Sequence, residues 1–201
     1  MNETPPLIAL RNALTAYAPI SEKTWAAFKR ICTPLPLKKG DYFCRAGDLP
    51  QSFAFVVSGL LRVYITNVEG NEYNKIFFPE KTFPASIIAL LTSSPSKFSI
   101  EALETSQLIQ INFKAYRHLL KTSDEIKLFH IFYLEKNWVI DKEKREIALV
   151  QENASTRYLR FLKDYANLVK RLSQYHIASH LGITPTQLSR IRKKLGNNQP
   201  M

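Results

Sequence analysis

Residues 174–193 read QYHIASHLGITPTQLSRIRK. The apolar and glycine spacing is that of a helix-turn-helix, the unit that lays a helix in the major groove of DNA. With Ala178 as the small residue where two helices cross, Ile177 and Leu181 fall on the buried side of the first helix. Gly182 then sits at the sharp turn, where a positive φ is needed. Ile183 closes the turn, and Leu188 and Ile191 face inward from the second helix. Thr184 followed by Pro185 is a strong helix start: threonine caps free N–H groups and proline is pre-set for the first helical position. The outer face of that second helix offers Thr186, Ser189, Arg190 and Lys193, and the DNA-contacting set predicted for the segment is Thr186, Gln187, Ser189, Arg190, Arg192, Lys193 and Lys194.

Charge agrees with this placement. The 201-residue chain carries a formal charge of +11. From residue 151 onward nine lysines and arginines face two acids, a net of +7, and the preceding 150 residues carry only +4. A basic terminal quarter coinciding with a helix-turn-helix is what counterion release from phosphates requires. The length suffices for one large domain or two small ones. The longest apolar run, Ala85–Leu91, is far short of the roughly 18 residues that span a bilayer, so no membrane partner is expected. No basic leader precedes the apolar residues of MNETPPLIALRNAL, which argues against a secretory signal. Two cysteines, Cys32 and Cys44, make no disulfide framework and fit a reducing cytoplasm. They are expected as core or half-buried thiols, with a redox role as the sharper alternative.

Upstream of this segment the pattern changes twice. A helical lead-in opened by Ser21 places Trp25, Phe28 and Ile31 on one stripe. Residues from about 33 to 113 then read as short strands: FAFVVSG at 53–59, LLRVYIT at 60–66, YNKIFF at 73–78, FSIEAL at 98–103 and QLIQINF at 107–113. Repeated β-branched and aromatic strands predict a sandwich or jelly roll. From Asp124 to Val150 the period turns helical, with Ser123 or Asp124 as cap and Leu128, Phe129, Ile131, Phe132 and Trp138 in a wide stripe. A helix of about 27 residues is about 40 Å long and must bury one face on its own domain and another on something else, most simply its copy in a dimer. STRYLRFLKDYANLV then restarts the pattern with Ser155 as the expected cap. The predicted fold is α+β, with units at 1–122, 123–152 and 153–201: a jelly-roll-like β domain, a long dimerisation helix and a helix-turn-helix domain.

In that order these parts resemble the Crp-Fnr family of bacterial transcription regulators, over nearly the whole chain. The most specific pieces are LKKGDYFCRAGD, FVVSGLLRVYITNVEGNE, SIEALE and IASHLGITPTQLSRIRKKL. The resemblance implies that the first unit is a double-stranded β-helix sensor roll of the cyclic-nucleotide-binding type and that a homodimer sits on a two-fold symmetric DNA site, and it leaves RNA polymerase and an effector of unknown identity as open further partners. It places Thr186, Ser189 and Arg190 at base-reading positions, with Arg190 as a bidentate reader of guanine. Many members have glutamate where this chain has Thr186, so the half-site sequence is expected to differ. Arg192, Lys193 and Lys194 are assigned to phosphates. Six residues follow Leu195, too few for a β-wing.

The effector site departs from the family pattern. Members that bind cyclic nucleotides use a Gly-Glu pair for the ribose and an Arg followed by Ser or Thr for the phosphate. The corresponding positions here are Phe83-Pro84-Ala85 and Ser96-Lys97. Proline removes a donor, alanine accepts nothing from a ribose hydroxyl, and Lys97 offers a point charge in place of a bidentate fork. Cyclic AMP is therefore not expected to bind in the usual manner, and no cofactor is implied. The rival reading is a sensor that works through unusual residues such as Lys97 and Tyr73. A third is a protein-interaction scaffold, which the basic run Arg190–Lys194 opposes.

Catalytic and metal chemistry is not indicated. His176 and His180 are four apart, but Ile177 stands where a zinc protease needs glutamate, so surface or phosphate-facing histidines are expected. Two cysteines fall short of the ligands of an iron–sulfur cluster. Asp141, Glu143 and Glu146 alternate with Lys142, Lys144 and Arg145, as on a solvated helix face. Neither a phosphate loop nor a G-x-S-x-G elbow occurs, and an enzyme is not expected.

Overall fold

The computed structural model describes residues 3–196. Its strands are β1 (Cys32–Leu37), β2 (Tyr42–Cys44), β3 (Ser52–Ser58), β4 (Leu61–Thr66), β5 (Glu72–Phe78), β6 (Ser99–Ala102) and β7 (Ser106–Asn112). They form two antiparallel sheets, ordered β1-β7-β3 and β2-β6-β4-β5. Alternation along each strand builds the layers. Ala54, Val56, Leu61, Val63, Ile100, Ala102 and Leu108 meet between the sheets. Their neighbours Phe53, Phe55, Ile109 and Ile111 point the other way, into a second core shared with helices. Being buried on both faces, β3 reads as the continuous apolar run FAFVV. β1 and β2 lie outside the strands expected from sequence. β1 carries Pro34 and Pro36, which a strand tolerates at a sheet edge, and that is where it lies. At Gly59, φ is +105° and a Cβ would come within 2.7 Å of the Ser106 backbone, so no other residue fits there.

The second core is helical. α1 (Pro5–Thr15), α2 (Glu22–Lys29), α4 (Phe113–Thr122) and α5 (Asp124–Leu134) flank the β1-β7-β3 sheet, and α3 (Ile87–Thr92) spans the β5–β6 connection. Ser21 caps α2 by accepting from Thr24 N–H at 3.3 Å. The Glu125 carboxylate in turn accepts from the Ser21 N–H (2.8 Å) and hydroxyl (3.0 Å), fastening the start of α5 to α2. Ser123 caps α5 at Ile126 N–H.

The long helix expected over 124–150 is interrupted. α5 runs into a π-helical turn at Glu135–Ile140 and then α6 (Asp141–Gln151). Asn137 Nδ2 donates to the carbonyl of Tyr133, four residues back, at 2.9 Å, and to the Tyr17 hydroxyl at 3.1 Å. That carbonyl is the one an α-helical N–H would take, which accounts for the widened turn. Leu128, Ile131, Phe132, Trp138, Val139 and Ile140 remain exposed along this helix by 42–59%.

α7 (Ala154–Asp164), α8 (Gln174–Leu181) and α9 (Pro185–Gly196) complete the chain. Asn153, not Ser155, caps α7: its Oδ1 accepts from Thr156 N–H at 3.0 Å. Tyr158, Phe161, Leu168, Leu172, Ile177, Ala178, Leu181 and Leu188 form the core of this unit, and Leu60 and Phe77 from the roll belong to it too. Burying one such phenylalanine is worth about 1.5–3 kcal/mol, so the roll contributes to holding the terminal helices in place.

Candidate nucleic-acid interface

α8 and α9 meet as the spacing of residues 174–193 requires. Ala178 and Leu188 are fully buried, Ile177 and Leu181 nearly so, and Gly182 takes φ +66°. Thr184 and Gln187 cap each other's end of α9. The Thr184 hydroxyl accepts from Gln187 N–H at 3.1 Å, and Gln187 Oε1 accepts from Thr184 N–H at 2.9 Å. Gln187, one of the seven predicted contact residues, is thus occupied in fixing the helix start. All seven, Thr186, Gln187, Ser189, Arg190, Arg192, Lys193 and Lys194, are exposed. Arg190 and Lys194 line a cleft of about 520 Å³ with Gln187, Ile191 and the start of α7 at Asn153–Ser155. The predicted lack of a β-wing concerns a segment most of which lies outside the described residues.

Other basic residues of the terminal quarter are spent within the protein. Arg157 donates to the carbonyls of Glu152 (2.9 Å) and Leu181 (3.0 Å), and Arg160 pairs with Glu152 at 2.7 Å. Arg171 reaches back to the roll, pairing with Glu80 at 2.9 Å and Glu104 at 2.5 Å.

The histidines expected at the surface or against phosphate instead face the roll. Asn74 of β5 is fully buried. Its N–H donates to Ser179 Oγ (3.0 Å), and its Nδ2 donates to the carbonyl of His176 (3.1 Å). The Ser179 hydroxyl donates to the Glu72 carbonyl at 2.7 Å, and His180 Nδ1 donates to the Asn74 carbonyl at 2.9 Å. β5 is an edge strand, and these side chains of α8 satisfy backbone groups that an open edge would leave to solvent. Behind them Arg62, 5% exposed, is clasped by Glu72 (2.5 Å) and Glu101 (2.6 Å). Burial and the Arg62 charge together pull the His176 pKa below its ordinary value, although Glu101 and Glu72 oppose them.

The predicted effector residues differ in their surroundings. Phe83 packs in the helical core against Phe55 and Tyr133, and Ala85 leans on the same core. Pro84 is buried with its carbonyl accepting from Ala54 N–H at 3.1 Å. Ser96 is buried and donates to Ser86 Oγ at 2.8 Å, while Lys97 is exposed. Burial raises the Cys32 thiol to about 12 and pushes Cys44 up as well, keeping both protonated. Among the described residues no group of three His, Cys, Asp or Glu side chains could hold a metal, and no helix is long and apolar enough to cross a membrane.

A roll of this topology with helices on one side defines a class. Residues 34–123, from β1 through α4, match the family described as the cyclic nucleotide-binding domain. Solved structures share this fold over most of the chain. The c-di-GMP responsive global regulator CLP of Xanthomonas campestris superposes with a TM-score of 0.71 at 17% identity, covering 89% of this chain and 93% of that one. FixK2 of Bradyrhizobium japonicum gives 0.67 at 17% identity over 83% and 85%. DNR of Pseudomonas aeruginosa gives 0.58 at 22% over 98% and 90%. Among curated proteins, neuropathy target esterase sws of Drosophila persimilis is 28% identical over 110 residues, which is 50% of this chain and 8% of that protein. The chain therefore spans under a tenth of that relative.

Proposed function

We propose that this protein is a dimeric, sequence-specific DNA-binding transcription regulator. The single observation that carries the reading is α9: a capped helix buried through Leu188, with Thr186, Ser189, Arg190, Arg192, Lys193 and Lys194 all open on its outer side. Arg190 reads a base edge. Arg192, Lys193 and Lys194 hold phosphates, and the cleft between Arg190, Lys194 and the start of α7 suits the adjoining backbone. The exposed apolar stripe from Leu128 to Ile140 is the dimer seam, which would present α9 twice to a pseudo-palindromic site. RNA polymerase would be a further partner of a DNA-bound dimer.

The roll does not take cyclic AMP in the usual manner on this reading. Support comes from Ser86 and Ser96, buried and bonded to one another, and from the exposure of Lys97, the one cation predicted for that site. Titration calorimetry with cyclic AMP and cyclic GMP should give no heat at micromolar concentrations; micromolar affinity would overturn this part. For DNA, fluorescence anisotropy against the upstream region of its own coding sequence should show selective, salt-sensitive binding. Arg190→Ala should abolish that selectivity, and a wild-type dimer without sequence preference would refute the function.

A further inference from the structure

The face between the roll and α8 contains one acceptor that a proton would destroy. His176 Nδ1 is approached by two groups that can only donate, Arg62 Nη1 at 3.5 Å and Asn74 Nδ2 at 3.4 Å. The orientation of the Asn74 amide is fixed independently: its Oδ1 accepts from Arg62 Nη1 at 3.2 Å, and its Nδ2 donates to the His176 carbonyl. His176 Nδ1 therefore serves as acceptor, which requires the neutral ring with its hydrogen on Nε2. Protonation would point a third N–H at two donors and set a second cation beside a buried guanidinium.

Other groups on this face behave differently on mild acidification. His180 Nδ1 already donates to the Asn74 carbonyl, a role its protonated ring keeps. Glu72 and Glu101 are committed to Arg62, and Glu80 and Glu104 to Arg171. Lys39, from the β1–β2 turn, adds a further positive charge toward His176. On α8 itself, Ser173 accepts from the His176 N–H, and the Tyr175 ring lies 5.6 Å away.

We propose that the contact between β4–β5 and α8 is a proton-sensitive latch, closed by neutral His176 and loosened when a proton on that ring confronts Arg62 and Asn74. Loosening weakens one of the ties that hold α8 to the roll, beside the Phe77 packing and the Arg171 ion pairs, and so biases the α7–α9 unit toward turning about the Glu152–Asn153 break between α6 and α7. The sign follows from linkage. The latched ring binds its proton less readily than a free one, so the closed state is favoured at pH above about 6.5 and loses ground below it. One linked proton changes the closed-to-open ratio at most about tenfold per pH unit.

Hydrogen exchange of the full-length protein between pH 7.5 and 5.5 tests the latch without DNA, so its failure is separate from failure of the DNA-binding reading. After correction for intrinsic rates, protection of α8 and β5 amides should fall by up to about tenfold per unit below pH 6.5, while the β1-β7-β3 sheet stays protected. His176→Asn, which places a permanent acceptor near the Nδ1 position, should hold protection constant. An unchanged wild type, or an equal fall in the variant, would overturn the proposal. Should the variant fail to fold, the wild-type His176 imidazole titration by NMR decides: a value well below about 6.5 supports the latch, and one at or above it refutes it.

Discussion

Two polar faces of the terminal unit, a few turns of helix apart, use the same residue types for opposite ends. On the face toward the roll, Arg62 and Arg171 are each clasped by two carboxylates, and α8 contributes Ser179, His176 and His180 to bonds already made. On the α9 face, Arg190, Arg192, Lys193 and Lys194 stand open. Total charge does not separate the two. Satisfied cations fix a geometry; exposed ones can neutralise phosphates and so release the counterions condensed on a polyanion.

This contrast is sharpest in stability. Phe77→Ala removes the ring that the roll lends to the terminal core, packed against Phe161, Tyr165 and His180. It should cost about 3–5 kcal/mol in urea unfolding. Arg62→Met leaves Glu72 and Glu101 without their cation and should cost about 3 kcal/mol. A loss below about 1 kcal/mol in either would mean that the roll-facing contacts are not what holds α8. Arg190→Ala is the converse case: stability within about 0.5 kcal/mol of wild type, and a loss of about 1–3 kcal/mol of discrimination at one base pair of the site. If it unfolds the protein instead, the two faces are not distinct in kind.

The sequence made one of these faces legible and hid the other. The α8–α9 turn obeys local rules, with Gly182 at positive φ and Thr184-Pro185 at a helix start, so twenty residues sufficed to place it. Five strands were also readable from their β-branched and aromatic runs; β2 is only three residues long, and β1 carries Pro34 and Pro36, acceptable only because it lies at an edge. The roll-facing surface joins residues about a hundred positions apart, Asn74 with Ser179 and Glu80 with Arg171, and no periodicity encodes that. One local signal was available: Arg62 interrupts the apolar run LLRVYI, and a cation in a buried strand demands carboxylates nearby. The π-helical turn turned on a single Asn137 amide, below the resolution of any helical pattern. For the effector site, Phe83 and Lys97 were grouped only by resemblance to the family pattern, and the fold places one in the helical core and the other at the surface.

Smaller effects test whether the contrast extends to single charges. Lys193→Gln should weaken binding to all sequences about equally and reduce the slope of log affinity against log salt by about 1, without altering which site is preferred. The mildest case lies on the other face, at Glu80. Partial burial raises its pKa, but the Arg171 guanidinium and the Gly59 N–H, which donates to Glu80 Oε1 at 2.9 Å, outweigh that and hold it below the ordinary value. A depressed carboxylate pKa means stability that is present above about pH 4.3 and lost as pH falls below it. Because this pair is partly open to solvent, Glu80→Gln should cost no more than about 1 kcal/mol at neutral pH. The cost should shrink as pH falls below about 4.3. A difference that persists unchanged at pH 3 would mean that Glu80 acts through packing and not through charge, and the roll-facing cations would then owe their order to shape alone.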